Sequence, residues 1–171
     1  MEELENLKAS INVEYDATGK VYTIEPHKLH IPIFDGNIVP AIGIGESFNV
    51  FMLTFGFKNK EWIFTDEIIV DCGKSQIRLP IDYSNLQMQI GYGEIYEWAN
   101  LGYSRGSISN SIENPELLIQ AMTDAEKVVV RFSGKGYKDV TIPTAHIKQI
   151  SNIWKLYNIL KDDPTLVSQL T

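Results

Sequence analysis

The chain has 171 residues, 44% of them hydrophobic and 22% charged, with a net charge of −7. This is enough ordinary globular material for one domain with a core of its own. The acidity excludes nonspecific binding to nucleic acid or to an anionic membrane surface, both of which need a basic face. A single cysteine, Cys72, excludes an internal disulfide, and no apolar run reaches the roughly 18 residues of a membrane helix. The acidic start, Met-Glu-Glu-Leu-Glu-Asn, lacks the basic and apolar regions of a signal peptide, so the expected location is cytoplasmic.

In chain order, Leu4 and Leu7 suggest a short opening helix. Ile11, Val13 and Tyr15 alternate, Asp16 to Gly19 form a turn, and Val21 to Glu25 return as a second strand. Between Pro26 and Glu46, proline and glycine break the chain into short extended pieces. Phe48 to Phe57 and Glu61 to Val70 read as a strand pair joined around Lys58-Asn59-Lys60. The next run ends on Asp71-Cys72-Gly73-Lys74-Ser75, which raises the possibility of a phosphate-binding loop. That loop needs a glycine five residues before Gly73, where Ile68 stands, and a helix directly after it. Ile77, Leu79 and Ile81 follow instead at a period of two, so Cys72 to Lys74 is expected to be a hairpin turn.

A strand is expected from Gln87 to Trp98, then a loop over Asn100 to Asn114. Asn114-Pro115 caps a short helix carrying Leu117, Leu118, Ala121 and Met122 on one side. Val128 to Phe132 and Tyr137 to Ile142 form a hairpin around Gly134-Lys135-Gly136, where backbone N–H groups and lysines offer an anion site as an alternative to a plain turn. Thr144 is expected to cap the last helix, whose stripe is Ile147, Ile150, Ile153, Trp154, Tyr157 and Leu160. Asp162-Asp163-Pro164 ends it, giving one globular domain over 1–163 and a C-terminal tail over 164–171. Strands come first and two helices late, so the expected class is mainly β (α+β). The architecture would be an antiparallel β-sandwich or curved sheet with the C-terminal amphipathic helix packed on it.

The residues Tyr96, Glu97, Arg131, Phe132, Gly134, Tyr137, Asp139, Ile147, Ile150, Tyr157 and Leu160 set an acidic strand, a later hairpin and a closing helix in sequence. In this, roughly residues 60–161 resemble a group of uncharacterised bacterial β-sandwich domains, some of them on small lipoproteins. The resemblance implies a fold and no particular activity, and the chain lacks the lipoprotein cysteine and signal.

His27 and His30 are flanked by prolines in an extended context, which sends residues three apart to opposite faces, and His146 is remote. No metal site and no cofactor signature follows. Glu94 and Glu97 are a carboxylate pair of the kind used in glycoside hydrolysis, but their odd spacing in a strand separates them. Met88, Ile90, Tyr92, Glu94, Tyr96 and Trp98 would share one strand face. Such a row is also what a sandwich core contains, and core is the favoured reading; if exposed, Tyr92, Tyr96 and Trp98, with Tyr103 and Arg105 in the following loop, form the candidate recognition surface. Arg131, inside an apolar strand, needs a carboxylate or several carbonyls if its face is covered, and Glu94 or Glu97 on an adjacent strand is the expected partner in a structural ion pair. Without a convergent catalytic set, the sequence points to a non-enzymatic protein-interaction domain, such as an accessory, inhibitor or immunity-type factor. A small-molecule or glycan-binding module using the aromatics and a carboxylate-dependent hydrolase are the alternatives.

Overall fold

A computed structural model describes residues 2–27 and 35–171. His30 and the extended pieces expected over 28–34 lie outside the described residues. The chain opens with α1 (Glu2–Lys8), whose Leu4 and Leu7 are buried. Four strands follow: β1 (Ile11–Asp16), β2 (Val21–Pro26), β3 (Asn37–Ile44) and β4 (Asn49–Asn59). Next come β5 (Glu67–Asp71), β6 (Gln76–Pro80), β7 (Leu86–Gly91) and β8 (Glu94–Tyr103), then α2 (Pro115–Asp124). The chain closes with β9 (Val128–Ser133), β10 (Tyr137–Ile142), α3 (Thr144–Leu160) and a 3-10 helix over Pro164–Gln169.

The strands form two antiparallel sheets. One runs β1-β2-β3-β4-β8-β7, the other β10-β9-β5-β6. Strict alternation builds the inner face of the larger sheet. Ile38 and Ile42 of β3, Phe51, Leu53, Phe55 and Phe57 of β4, and Ala99 and Leu101 of β8 are almost wholly buried. The smaller sheet contributes Ile68, Val70, Val130 and Phe132, and the rings of Phe57 and Phe132 meet at 4.4 Å. Helix α3 packs on β2, β3 and β4. Its stripe buries Ile147, Ile150, Ile153, Leu156, Tyr157 and Leu160. Trp154 is half-buried, stacked on Tyr157 at 5.3 Å and edge-on to Phe51 at 5.0 Å.

The local signals act as expected. Asn114 Oδ1 accepts the Leu117 N–H, and Pro115 opens α2. Gly73 has φ +78°, Cys72 N–H donates to Ser75 O, and Asp71 accepts the Gly73 N–H, which closes the β5–β6 hairpin. Around Gly134-Lys135-Gly136 the turn serves the fold: Lys135 N–H donates to Ile63 O, and its ammonium lies 4.5 Å from the Phe64 ring centre. A side chain at Gly134 would stand 2.3 Å from Phe64 O, so only glycine permits this approach.

Several expectations need correction. Strands β4 and β5 do not pair; they lie in different sheets, because residues 63–65 are held by a buried side chain instead of by a ladder. The single strand over Gln87–Trp98 is two strands, β7 and β8, and β8 continues to Tyr103 within the expected loop. Tyr92 (φ +53°) and Gly93 (φ +77°) form the two-residue turn between them. Leu117 of α2 is exposed, its place on the buried face taken by Ile119. Pro143, not Thr144, occupies the cap position of α3. Residues 164–171 are no tail: Asp163 caps the 3-10 helix, and Val167 and Leu170 belong to the core.

Candidate functional site at the β7–β8 hairpin

The register of β8 sorts the candidate residues. Glu97, Ala99, Leu101 and Tyr103 face inward, while Glu94, Tyr96 and Trp98 lie on the outer face. Tyr96 and Trp98 stand opposite Gln89 and Gln87 of β7, and Tyr92 is at the hairpin tip with its ring fully exposed. These three therefore stay near one another along the hairpin, though not as a single strand row. Tyr103 does not join them. It is half-buried on the inner face, with its ring 5.9 Å from Trp154 and 6.2 Å from Tyr157. Arg105 is also elsewhere, paired with Asp162 at 2.8 Å.

Glu97 is the side chain that separates the two sheets. It is completely buried, and its Oε1 accepts the N–H groups of Ile63 at 2.7 Å and Phe64 at 3.0 Å. Its Oε2 accepts the Thr65 N–H at 3.0 Å and the Thr65 hydroxyl at 2.9 Å. Four donors meet one carboxylate, so Glu97 clasps the crossover between the sheets and offers no lone pair to a substrate. Glu94, on the other face, lines a cleft of about 400 Å³ with Asp35, Lys58, Lys60 and Lys138. Asp35 is 3.0 Å from Lys58, and its hydrogen bond and charge raise the Lys58 ammonium above its ordinary value, with a lesser push from Glu94. The two glutamates thus lie on opposite faces, as their odd spacing implies, with separate surroundings and no common site.

Arg131 corrects a second expectation. It lies on the outer face of β9, in the smaller sheet, and therefore has no access to β8. Its partner is Asp139, directly opposite on β10, with both bonds of the guanidinium fork at 2.7 Å. Arg131 also caps the Tyr137 ring at 4.4 Å. The guanidinium holds the Asp139 carboxyl below its ordinary range. Of the histidines, His27 Nδ1 contacts Asn12 Oδ1 at 2.6 Å and His146 Nδ1 contacts Asn37 Oδ1 at 2.7 Å. A larger groove of about 510 Å³ lies between β6 and the start of α2. Two of its polar side chains serve the fold: Asn110 bonds Ser104, and Asn114 caps α2.

The sheet edges carry a signal that sequence alone leaves hidden, because it depends on which strands are terminal. An open edge is a template for a foreign strand, and proteins blunt it with charge or proline. Among the described residues the terminal strands are β1, β7, β10 and β6. β1 carries Glu14 and Asp16, β10 carries Lys138 and Asp139, and β6 carries Arg78 and Pro80. β7, Leu-Gln-Met-Gln-Ile-Gly, carries neither charge nor proline. Gln87 and Gln89 are exposed, and Ile90 is 68% exposed. Tyr92 occupies a left-handed conformation that favours Asn or Gly, without packing that would require a tyrosine there.

No family model matches the chain, and neither a curated protein nor a solved structure matches it. Among the described residues no helix is long and apolar enough to cross a membrane.

Proposed function

We propose that this chain is a non-enzymatic protein-interaction domain, of accessory, inhibitor or immunity type, that engages its partner by strand addition along β7. One observation carries the proposal: three of the terminal strands are protected by charge or proline, and β7 is not. Main-chain hydrogen bonds would give affinity, and the side chains of Gln87, Gln89 and Tyr92 would give selectivity. Tyr96 and Trp98 lie on the adjoining strand, so the aromatic surface suggested by the sequence belongs to the same corner. The buried, unpaired Cys72 supports a reducing setting.

The test is a photo-crosslinking residue placed at Ile90 of the full chain in its native cells, with the same residue at Glu14 on β1 as control. A covalent protein adduct at position 90 and none at 14 is expected. Absence of any adduct at 90, or equal adducts at both, would remove the docking edge.

A further inference from the structure

We infer that the occupant of the β7 edge is the β7 edge of a second copy of this chain, laid antiparallel about a two-fold axis at Met88. The inference rests on β7 being the docking edge and adds the identity of the partner.

The hairpin fixes which groups are available. Gly91 and Glu94 flank the two-residue turn and face each other, so Gly91, Gln89 and Gln87 direct their N–H and C=O groups toward β8. Leu86, Met88 and Ile90 direct theirs outward. Antiparallel pairing joins outward residues to outward residues. The two-fold register that uses all of them sets Met88 opposite Met88 and Leu86 opposite Ile90 of the second copy.

Every other feature of the strand suits that register. Gln87 then faces Gln89 of the second copy on the outer side, amide to amide, and apolar side chains face each other on the inner side. Within the strand Leu86–Gly91 no charge meets a like charge, although each chain carries −7. Tyr83, 71% exposed, precedes β7, and Tyr92, fully exposed, follows it. Reversal of the strand brings the turn holding Tyr83 beside the turn holding Tyr92, twice, so the patch is complementary to itself. On the other edges the same operation draws Glu14 and Asp16, Lys138 and Asp139, or Arg78 and Pro80 into the new ladder. Pairing of one short strand buries less than the roughly 1,200 Å² of a stable interface. The association is therefore weak and reversible.

The register is tested with two variants at exposed positions, Gln87→Cys and Gln89→Cys. Facing residues of this pair have Cα atoms about 4.5 Å apart, within disulfide reach. An equimolar mixture is expected to give a disulfide-linked dimer at least about tenfold faster than either variant alone, in which equal positions are offset by a further two residues along each strand. Sedimentation of the unmodified chain should show monomer and dimer, and Ile90→Pro should weaken association about thirtyfold. The Ile90 N–H points outward, so proline there removes one donor per copy from the dimer and none from the β7–β8 ladder. Equal crosslinking in all three samples, or a monomer at about 1 mM chain, would overturn the second copy. If a monomer still gives an Ile90 photo-adduct with a different protein, strand addition at β7 stands and only the identity of the partner fails. A monomer with no adduct removes both.

Discussion

Replacement of Glu97 by alanine should be among the most damaging single changes in this protein, and its size can be worked from the donors it abandons. The carboxylate accepts the N–H groups of Ile63, Phe64 and Thr65 and the Thr65 hydroxyl. Phe64 is half-exposed and can turn to water, and the hydroxyl can rotate toward another acceptor. Ile63 and Thr65 are buried, so their two N–H groups stay unsatisfied. At about 1–3 kcal/mol for each buried donor, the loss is roughly 2–6 kcal/mol, centred near 4. Glu97→Gln retains one acceptor oxygen but turns an NH₂ toward existing donors, and should cost about half as much. Urea denaturation followed by tryptophan fluorescence measures both, with an unchanged slope showing that the variants still unfold as the wild type does. Glu94→Ala serves as the control, expected within about 0.5 kcal/mol as for ordinary surface changes. A Glu97→Ala loss below about 1 kcal/mol would refute the clasp and return Glu97 to the list of available carboxylates.

Arg131→Ala should change stability by no more than about 1 kcal/mol, since its pair with Asp139 is substantially solvated on both sides. Because Arg131 depresses the Asp139 carboxyl, the pair's small contribution is complete above the ordinary carboxylate range and is lost as pH falls through the lowered value. Acid titration of wild type against Asp139→Asn should therefore converge only at low pH, and convergence at neutral pH would contradict the pairing. Trp154→Ala should cost about 3 kcal/mol, the lower end for a large aromatic because the ring is half-buried. A midpoint shift too small to measure would mean that this ring serves a partner rather than the core. Burial pushes the Cys72 thiol above its ordinary value, and nearby Asp71 adds to the rise. It should react with a disulfide reagent at pH 8 far more slowly than in urea-unfolded chain, and equal rates would show it to be exposed.

The features legible in the sequence were those fixed by neighbours along the chain. The Cys72–Lys74 turn, the Asn114 cap, the Gly134–Gly136 turn and the α3 stripe each depend on a few residues at short range. The separation of β4 from β5 could not be read in this way, because it is imposed by Glu97, 34 positions beyond Ile63. A buried glutamate that bonds only backbone and a threonine leaves no ion-pair partner to find, so the sequence pattern directs Arg131 to the wrong acid. The correct partner was accessible: once the hairpin turn is fixed, antiparallel counting sets Asp139 opposite Arg131. The β7–β8 turn was masked by continuous apolar alternation through Tyr92, with Gly91 and Gly93 as its only local signs. Residues 164–171 read as a tail because Asp162-Asp163-Pro164 ends α3, yet Val167 and Leu170 return to the core. The composition of each edge strand was visible throughout, but its meaning required knowing which strands are terminal.

The most direct measurement is residue-resolved amide hydrogen exchange of the unmodified chain, dilute and at about 1 mM. In dilute protein the Met88 and Ile90 amides, directed away from β8, should exchange rapidly while those of Gln87 and Gln89 are protected. On association the Met88 and Ile90 amides should slow about tenfold or more, with the outward amides of β1 unchanged. Protection gained on β1 and not on β7, or Met88 and Ile90 amides already protected in dilute monomer, would contradict the assignment of β7 as the docking edge.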